Sequence, residues 1–139
     1  MAFVRVLIAL AAFAAAGTGA AAIAQPLTAV GQLEPGRWQL RTRGAPTRDI
    51  CVADPATLIQ LEHSRTSCSR LVVANERSTS TVQYSCPGAG WGRTTVRVST
   101  PRAATIDTQG IAANMPFAYV ADAHRTGECA AESASLSRR

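Results

Sequence analysis

Lysine is absent from this chain of 139 residues, and all fourteen of its basic residues are arginine. The net charge is +5, and subtracting Arg5, which lies in the amino-terminal segment, leaves +4 for the remainder. An arginine excess can attract an anionic partner such as a lipid headgroup, an envelope polysaccharide or a nucleic acid. The arginines are dispersed, however, and form no basic block. This distribution favours scattered surface charge and the codon bias of a GC-rich genome.

Motifs that mark an enzyme or a metal centre are also missing. The four cysteines include no Cys-x-x-Cys pair, and His63 and His124 lack the spacing of paired zinc ligands. No Gly-x-Ser-x-Gly motif positions a nucleophilic serine, and no paired carboxylates suit glycosidase chemistry. These absences predict a protein that is not an enzyme and that uses no metal ion or cofactor. An unrecognised hydrolase site is the remaining alternative.

Three evenly spaced glycines, Gly88, Gly90 and Gly92, could form a phosphate-binding loop. Such a loop cradles a phosphate when it leads from a strand into the amino terminus of a helix. Here the residues that follow alternate like those of a strand. The glycines therefore predict a turn or a β-bulge.

Long apolar runs are missing except at the amino terminus. Arg5 precedes an apolar run that ends in small residues, with Ala-Ile-Ala at 22–24. This is the pattern of a secretory signal peptide over residues 1–24, with Gln25 as the first mature residue. The run is shorter than the roughly 20 residues that span a bilayer. The sequence predicts an exported, periplasmic protein whose mature part, residues 25–139, has no membrane span and meets no nucleic acid.

The mature part is predicted to be a single β-rich domain, ordered over about residues 35–130, with a frayed tail. Asp54 as an N-cap and Pro55 at the first helical position predict one short helix over about 54–63. Alternation of apolar and polar residues predicts strands over 37–43, 48–52, 69–74, 81–86, 91–100, 103–108 and 117–125. Consecutive short strands predict an antiparallel meander that forms a curved sheet or a partly closed barrel.

Four cysteines in a short exported domain predict two disulfides. Cys68 opens the predicted hairpin that Cys86 closes, so these two lie at the same end of the sheet. Three predicted strands separate Cys86 from Cys129, which places those two at opposite ends. Strand parity therefore favours Cys68–Cys86 with Cys51–Cys129. The best apolar pairing of the hairpin, which puts Cys86 opposite Ser69, leaves Cys51–Cys68 with Cys86–Cys129 as the alternative.

The order of several short motifs resembles that of a known family. The motifs are Gly36-Arg37-Trp38, Cys51-Val52-Ala53-Asp54-Pro55, Cys68, Cys86, Gly88-Ala89-Gly90-Trp91-Gly92 and Arg125-Thr126-Gly127-Glu128-Cys129. Their order resembles the domain of unknown function 3617 family, small exported proteins of Gram-negative bacteria, over nearly the whole mature chain. The resemblance implies a periplasmic, disulfide-bonded, β-rich domain. It implies no activity, because none is assigned to the family.

Five aromatic side chains are candidates for an apolar pocket or for the core. They are Trp38, Tyr84, Trp91, Phe117 and Tyr119. A half-closed barrel can bind a ligand between such side chains. With so few aromatic residues in a small domain, the core is the favoured position, and some of these residues could serve in both.

Two functions are consistent with these features. The first is a non-enzymatic binding module for an envelope lipid or polysaccharide, or for a periplasmic protein. The alternative is a small secreted inhibitor or stress-related interaction domain, because a rigid disulfide-stabilised loop loses little entropy on binding. Its binding loops would be Asn75–Ser80 and Gly110–Pro116.

Overall fold

The computed structural model describes residues 25–130. The predicted signal peptide, residues 1–24, and the predicted frayed tail after Ala130 lie outside the described residues. Within residues 25–130 no helix is long and apolar enough to cross a membrane.

The described chain forms one antiparallel sheet of seven strands. The strands are β1 (Gly36–Thr42), β2 (Arg48–Val52), β3 (Ser69–Asn75), β4 (Thr79–Cys86), β5 (Gly90–Thr100), β6 (Ala103–Ala112) and β7 (Met115–Gly127). Their order across the sheet is β2-β1-β7-β6-β5-β4-β3, so β2 and β3 form the two edges and the sheet is not closed. The predicted antiparallel, mainly β fold with one short helix and two disulfides is confirmed.

The helix lies between β2 and β3, at Pro55–His63, and has 3₁₀ geometry. Asp54 caps it as predicted, because its carboxylate accepts a hydrogen bond of 2.9 Å from the backbone amide of Ala56. Gln60 departs from helical geometry, with φ −129° and ψ 52°, so the helix consists of two short pieces on either side of this residue. A second, single 3₁₀ turn covers Val30–Gln32.

One face of the sheet carries the apolar half of the strand alternation. At its centre Ala104, Ala121 and Ala123 are almost completely buried on the neighbouring strands β6 and β7, and the larger Ile106 of β6 lies opposite Ala121. Larger buried residues lie at either side, including Trp38 on β1 and Val96 on β5.

Two short segments cover this inner face. The helix contributes Leu58 and Ile59, which are completely buried. The segment before β1 contributes Val30 and Leu33, which are 2% and 3% exposed. The core thus includes residues that precede 35, the predicted approximate start of the ordered part.

The pairing of β3 with β4 differs by one residue from the predicted pairing. The predicted apolar pairing, with Cys86 opposite Ser69, places Leu71 opposite Tyr84, whereas the structure places Arg70 opposite Tyr84. A shift of one residue exchanges the two faces of a strand. Leu71 is consequently 65% exposed on the outer face. The observed register brings Cys68, the residue before Ser69, opposite Cys86, so the disulfide and the strand pairing agree.

Both loops proposed for the inhibitor are shorter than predicted. The first connects β3 and β4 through only three residues, 76–78. The second is a two-residue turn, in which Ala113 and Asn114 have φ of 50° and 62°. Two consecutive positive φ values are the geometry of a type I′ hairpin turn, which extends both flanking strands. Alanine is an unusual residue for this turn, which explains why the sequence pattern missed it.

The two disulfides join Cys51 with Cys129 and Cys68 with Cys86, which confirms the pairing favoured by strand parity. The bridge between Cys51 and Cys129 links edge strand β2 to the end of β7, with β1 lying between those two strands. The other bridge joins edge strand β3 to β4 at the end where their hairpin opens. Each edge of the sheet is therefore covalently tied to the strands inside it.

The bridge between Cys51 and Cys129 is expected to contribute more stability than the other one. It spans a sequence separation of 78 residues, against 18 for Cys68–Cys86, and a longer closed loop removes more entropy from the unfolded chain. We expect the free energy of unfolding to fall by about 4.5 kcal/mol in the double variant Cys51→Ala/Cys129→Ala and by about 3 kcal/mol in Cys68→Ala/Cys86→Ala. Denaturant titration of both variants measures this, and a reversed order would contradict it.

Candidate functional site

Trp38, one of the two tryptophans among the predicted aromatic candidates, belongs to the core. Its side chain is completely buried beneath the segment that precedes β1. The indole Nε1 donates a hydrogen bond of 3.0 Å to the carbonyl oxygen of Glu34. This bond satisfies the one polar atom of the side chain and fastens the covering segment to the sheet.

Tyr84 lies under the end of the helix, in contact with His63. The Tyr84 hydroxyl is 3.2 Å from Nδ1 of His63, and Nε2 of His63 is 3.1 Å from the carbonyl oxygen of Ala89. A carbonyl oxygen only accepts, so Nε2 carries a hydrogen and donates it to Ala89, while Nδ1 and the Tyr84 hydroxyl share the second hydrogen bond. Both groups are buried and both are satisfied, so this pair joins the helix to the turn before β5.

Gly92 makes the position of Tyr84 possible. A Cβ atom built on Gly92 would collide with the ring and hydroxyl of Tyr84, which lies across it from the neighbouring strand. The predicted turn is present at Gly88, where φ is 76°. Of the three spaced glycines, Gly92 thus serves to make room for a core side chain.

A second group of contacts lies beside this pair. One carboxylate oxygen of Glu62 accepts hydrogen bonds from the Tyr119 hydroxyl at 2.6 Å and from Nη1 of Arg48 at 3.1 Å. Phe117 packs between the rings of His63 and Tyr119, at centroid distances of 6.2 Å and 6.3 Å. Phe117 and Tyr119 are half-buried and point inward with Ala121, as the alternation of β7 predicts. The group ties the helix to β7 and β2.

This environment shifts three pKa values. Burial, reinforced by the charge of Glu62, raises the pKa of Tyr84 to about 12. Burial and the hydrogen bond donated to Glu62 raise the pKa of Tyr119 still further. Burial alone would raise the pKa of Glu62, but the hydrogen bonds from Tyr119 and Arg48 outweigh it and lower the pKa below its ordinary 4.5. The contacts of ionised Glu62 therefore contribute fully to the stability of the fold above pH 4.5. This contribution is lost as the pH falls through the lowered pKa of Glu62.

Trp91 does not belong to this inner group. It is 43% exposed and lies on the outer face of β5, paired with Ile111 of β6. Because side chains alternate along a strand, placing Gly92 beneath Tyr84 forces Trp91 to the opposite face. Trp91, predicted as a pocket or core residue, is thus neither in the buried core nor among the residues around His63.

The two histidines lie on opposite sides of the sheet. His63 contacts Tyr84, Phe117 and the carbonyl oxygen of Ala89, and the residue is only 4% exposed. His124 is exposed on the outer face of β7, opposite Gln39 of β1. Within residues 25–130 no three side chains of His, Cys, Asp or Glu come together in a way that could hold a metal ion.

A cleft of about 500 Å³ lies elsewhere, between the segment before β1, the start of the helix and edge strand β3. Its walls are mostly apolar side chains and prolines, with one arginine and one aspartate. The lining residues are Gln25, Pro26, Leu27, Val30, Gly31, Leu33, Pro35, Asp54, Pro55, Ala56 and Arg70. None of the five aromatic candidates takes part. We define this group as the amino-terminal cleft.

Arg70 is held in place at the amino-terminal cleft by Gln60. Its Nε and Nη2 atoms donate hydrogen bonds of 3.1 Å and 2.7 Å to the side-chain oxygen of Gln60. The amide nitrogen of Gln60 in turn donates to the carbonyl oxygens of His63 and Thr66, at 3.0 Å and 3.2 Å. Gln60 is only 7% exposed, and all of these bonds converge on one side chain. The guanidinium group is thus oriented by a buried amide.

The sequence analysis missed the residues of this cleft. A signal was nonetheless present, because Leu27, Val30 and Leu33 recur at intervals of three, which is the period of a 3₁₀ turn with one apolar side. Arg70 was missed for a different reason. The predicted register of β3 placed it on the outer face, and only the observed pairing with Tyr84 brings it to the inner one.

Comparison with known proteins identifies no relative: no family model, no curated protein and no solved structure matches the chain. The resemblance to the domain of unknown function 3617 family therefore stays a prediction.

Replacing Gly92 by alanine is expected to destabilise the protein by about 1–3 kcal/mol, the usual cost of overpacking a core. The added methyl group would displace Tyr84 and strain its contact with His63. Gly127→Ala is the matched control, because a Cβ atom there meets nothing within 4 Å. Denaturant unfolding measures both variants. Equal stabilities would show that Tyr84 does not lie across Gly92.

The two tyrosines are expected to ionise at a higher pH in the folded protein than in the denatured protein. Tyr84 and Tyr119 are the two tyrosines of the chain, so tyrosinate absorbance reports on them alone. In the folded protein we expect almost no signal at pH 10 and ionisation of Tyr84 near pH 12, whereas the denatured protein titrates near pH 10. Because the folded pKa values are the higher ones, the stabilising effect is complete below pH 10 and is lost as the pH rises through about 12. A folded titration near pH 10 would contradict the burial of both hydroxyls.

Proposed function

We propose that this protein is an exported, non-enzymatic binding module and that the amino-terminal cleft is its ligand site. The observation that carries the proposal is the cleft itself, with its volume of about 500 Å³ and its largely apolar walls. Small-molecule sites are typically clefts of roughly 300–1,000 Å³ lined by apolar groups with a few polar ones. The ligand class that fits is an apolar component of the cell envelope.

The walls of the cleft are held rigidly enough to preserve its shape. The side chain of Asn75 fastens the segment before β1 to edge strand β3, because its oxygen accepts from the amide of Thr28 at 2.8 Å and its nitrogen donates to the carbonyl of Pro26 at 3.0 Å. The opposite wall begins at the capped start of the helix. A preformed site avoids the entropy cost of ordering its walls when a ligand binds.

The location is supported by the covalent structure. Two disulfides and no free cysteine suit an oxidising, extracytoplasmic environment. The predicted signal peptide over residues 1–24 and the family resemblance make the periplasm the proposed compartment. An envelope lipid component is accessible there.

The alternative function, an inhibitor that inserts a loop into its target, receives less support. It relied on two long loops, and the structure has tight hairpin connections of three and two residues in those places. Short turns of this kind offer little surface beyond the sheet. The cleft, in contrast, is a concave feature that an apolar ligand can enter.

Blocking the cleft tests the proposal. Gly31 lines the cleft and has open space around it, so we expect Gly31→Trp to fold and to fill part of the site. The mature protein, residues 25–139, should enhance the fluorescence of N-phenyl-1-naphthylamine, an apolar probe, and Gly31→Trp should weaken that binding by about ten-fold. The expectation rests on about 0.8 kcal/mol for each CH₂ group that loses its buried contacts, so two such groups suffice.

Gly127→Trp is the matched control, because that glycine also has open space and lies outside the cleft. Probe binding should be the same in this variant as in the unaltered protein. Binding that is absent from the unaltered protein, or equal in the two tryptophan variants, would contradict the proposed site.

A further inference from the structure

Arg70 is the feature of the cleft that its apolar walls do not explain. An arginine on an edge strand could extend freely into solvent, yet two of its N–H groups are committed to the side-chain oxygen of Gln60. A guanidinium group has five N–H donors, so three are left over. The four ion pairs formed within residues 25–130 do not include Arg70. Its charge is therefore not neutralised by a carboxylate of the described chain.

The partner of Arg70 is a neutral amide, and this determines the electrostatics of the site. A carboxylate at position 60 would have cancelled the charge, whereas Gln60 fixes the direction of the group and leaves the charge in place. Gln60 itself is buried and is fixed by the carbonyl oxygens of His63 and Thr66. The guanidinium is therefore oriented before any ligand arrives, which reduces the entropy lost on binding.

We propose that the amino-terminal cleft binds a single-chain fatty acid, with the alkyl chain along the apolar walls and the carboxylate on the guanidinium of Arg70. The inference rests on the proposed function and specifies its ligand. Guanidinium groups match carboxylates in geometry and form short, charge-assisted hydrogen bonds with them. Leu27, Val30 and Leu33 supply the apolar wall. A positive group beside such a wall is the complement of an amphipathic anion.

Asp54 is the group in the cleft that opposes an anion. One of its oxygens is engaged by the amide of Ala56, but its charge stays close to the site. Asparagine caps a helix about as well as aspartate. Asp54→Asn is consequently expected to keep the helix start intact and to strengthen the binding of an anion by a few-fold at low salt, where exposed charges interact most strongly.

The test compares dodecanoate, below its micelle concentration, with dodecanol, which carries the same chain without the charge, below its solubility limit. Displacement of N-phenyl-1-naphthylamine from the mature protein at low salt gives both affinities. We expect dodecanoate to bind about ten-fold more tightly than dodecanol, as one hydrogen bond to a charged group implies. Arg70→Gln should abolish this preference and leave dodecanol binding within about two-fold of the original.

Arg93→Gln is the matched control, since Arg93 is exposed on the outer face of β5 and its loss changes the net charge equally. The Arg93→Gln protein should still bind dodecanoate more tightly than dodecanol. Equal binding of both ligands by the unaltered protein, an equal effect of the two arginine variants, or no gain from Asp54→Asn would overturn the role of Arg70 while leaving the cleft as a site. Failure of both ligands to displace a probe that does bind would overturn the fatty-acid proposal and leave the cleft as an apolar site. Failure of the probe itself to bind would overturn the proposed function.

Discussion

The structure depends on covering one apolar face of an open seven-stranded sheet with very little chain. The cover consists of the segment before β1 and a 3₁₀ helix of nine residues, Pro55–His63. Leu58 and Ile59 of this helix are completely buried against the sheet. Two short segments cannot close over the whole face, however, and the gap between them and edge strand β3 is the amino-terminal cleft. The site is thus a consequence of how the core is covered.

Most of the fold could be predicted because its signals are local. The alternation in β1, the Asp54-Pro55 helix start and the parity of the cysteines all depend on neighbouring residues or on the order of strands along the chain. The register of β3 with β4 could not be found this way. Apolar matching assumed that Leu71 is buried, but an edge strand can leave such a residue in solvent. The covalent constraint of Cys68 opposite Cys86 was the stronger guide, because a slip by one residue would separate the two sulfurs.

The candidate site was harder to predict than the fold, for a physical reason. Aromatic side chains attract attention in a sequence, but here Trp38 and Tyr84 are completely enclosed and Trp91 lies on the opposite face. The cleft is made by residues that are remote from one another along the chain. Its position depends on the two hydrogen bonds by which Asn75 fastens Pro26 and Thr28. A link of this kind leaves no periodic pattern in the sequence.

Gln60 connects the cleft to the stability of the domain. Helical geometry is interrupted at this residue, and its side chain turns back to bind the carbonyl oxygens of His63 and Thr66. The same side chain holds Arg70, so one buried amide joins the helix end, the chain leading to Cys68 and the charged wall of the cleft. A ligand that engages Arg70 would restrict that amide as well. Binding at the cleft should therefore be coupled to the order of the segment between the helix and β3, because the two share their hydrogen-bond donors and acceptors.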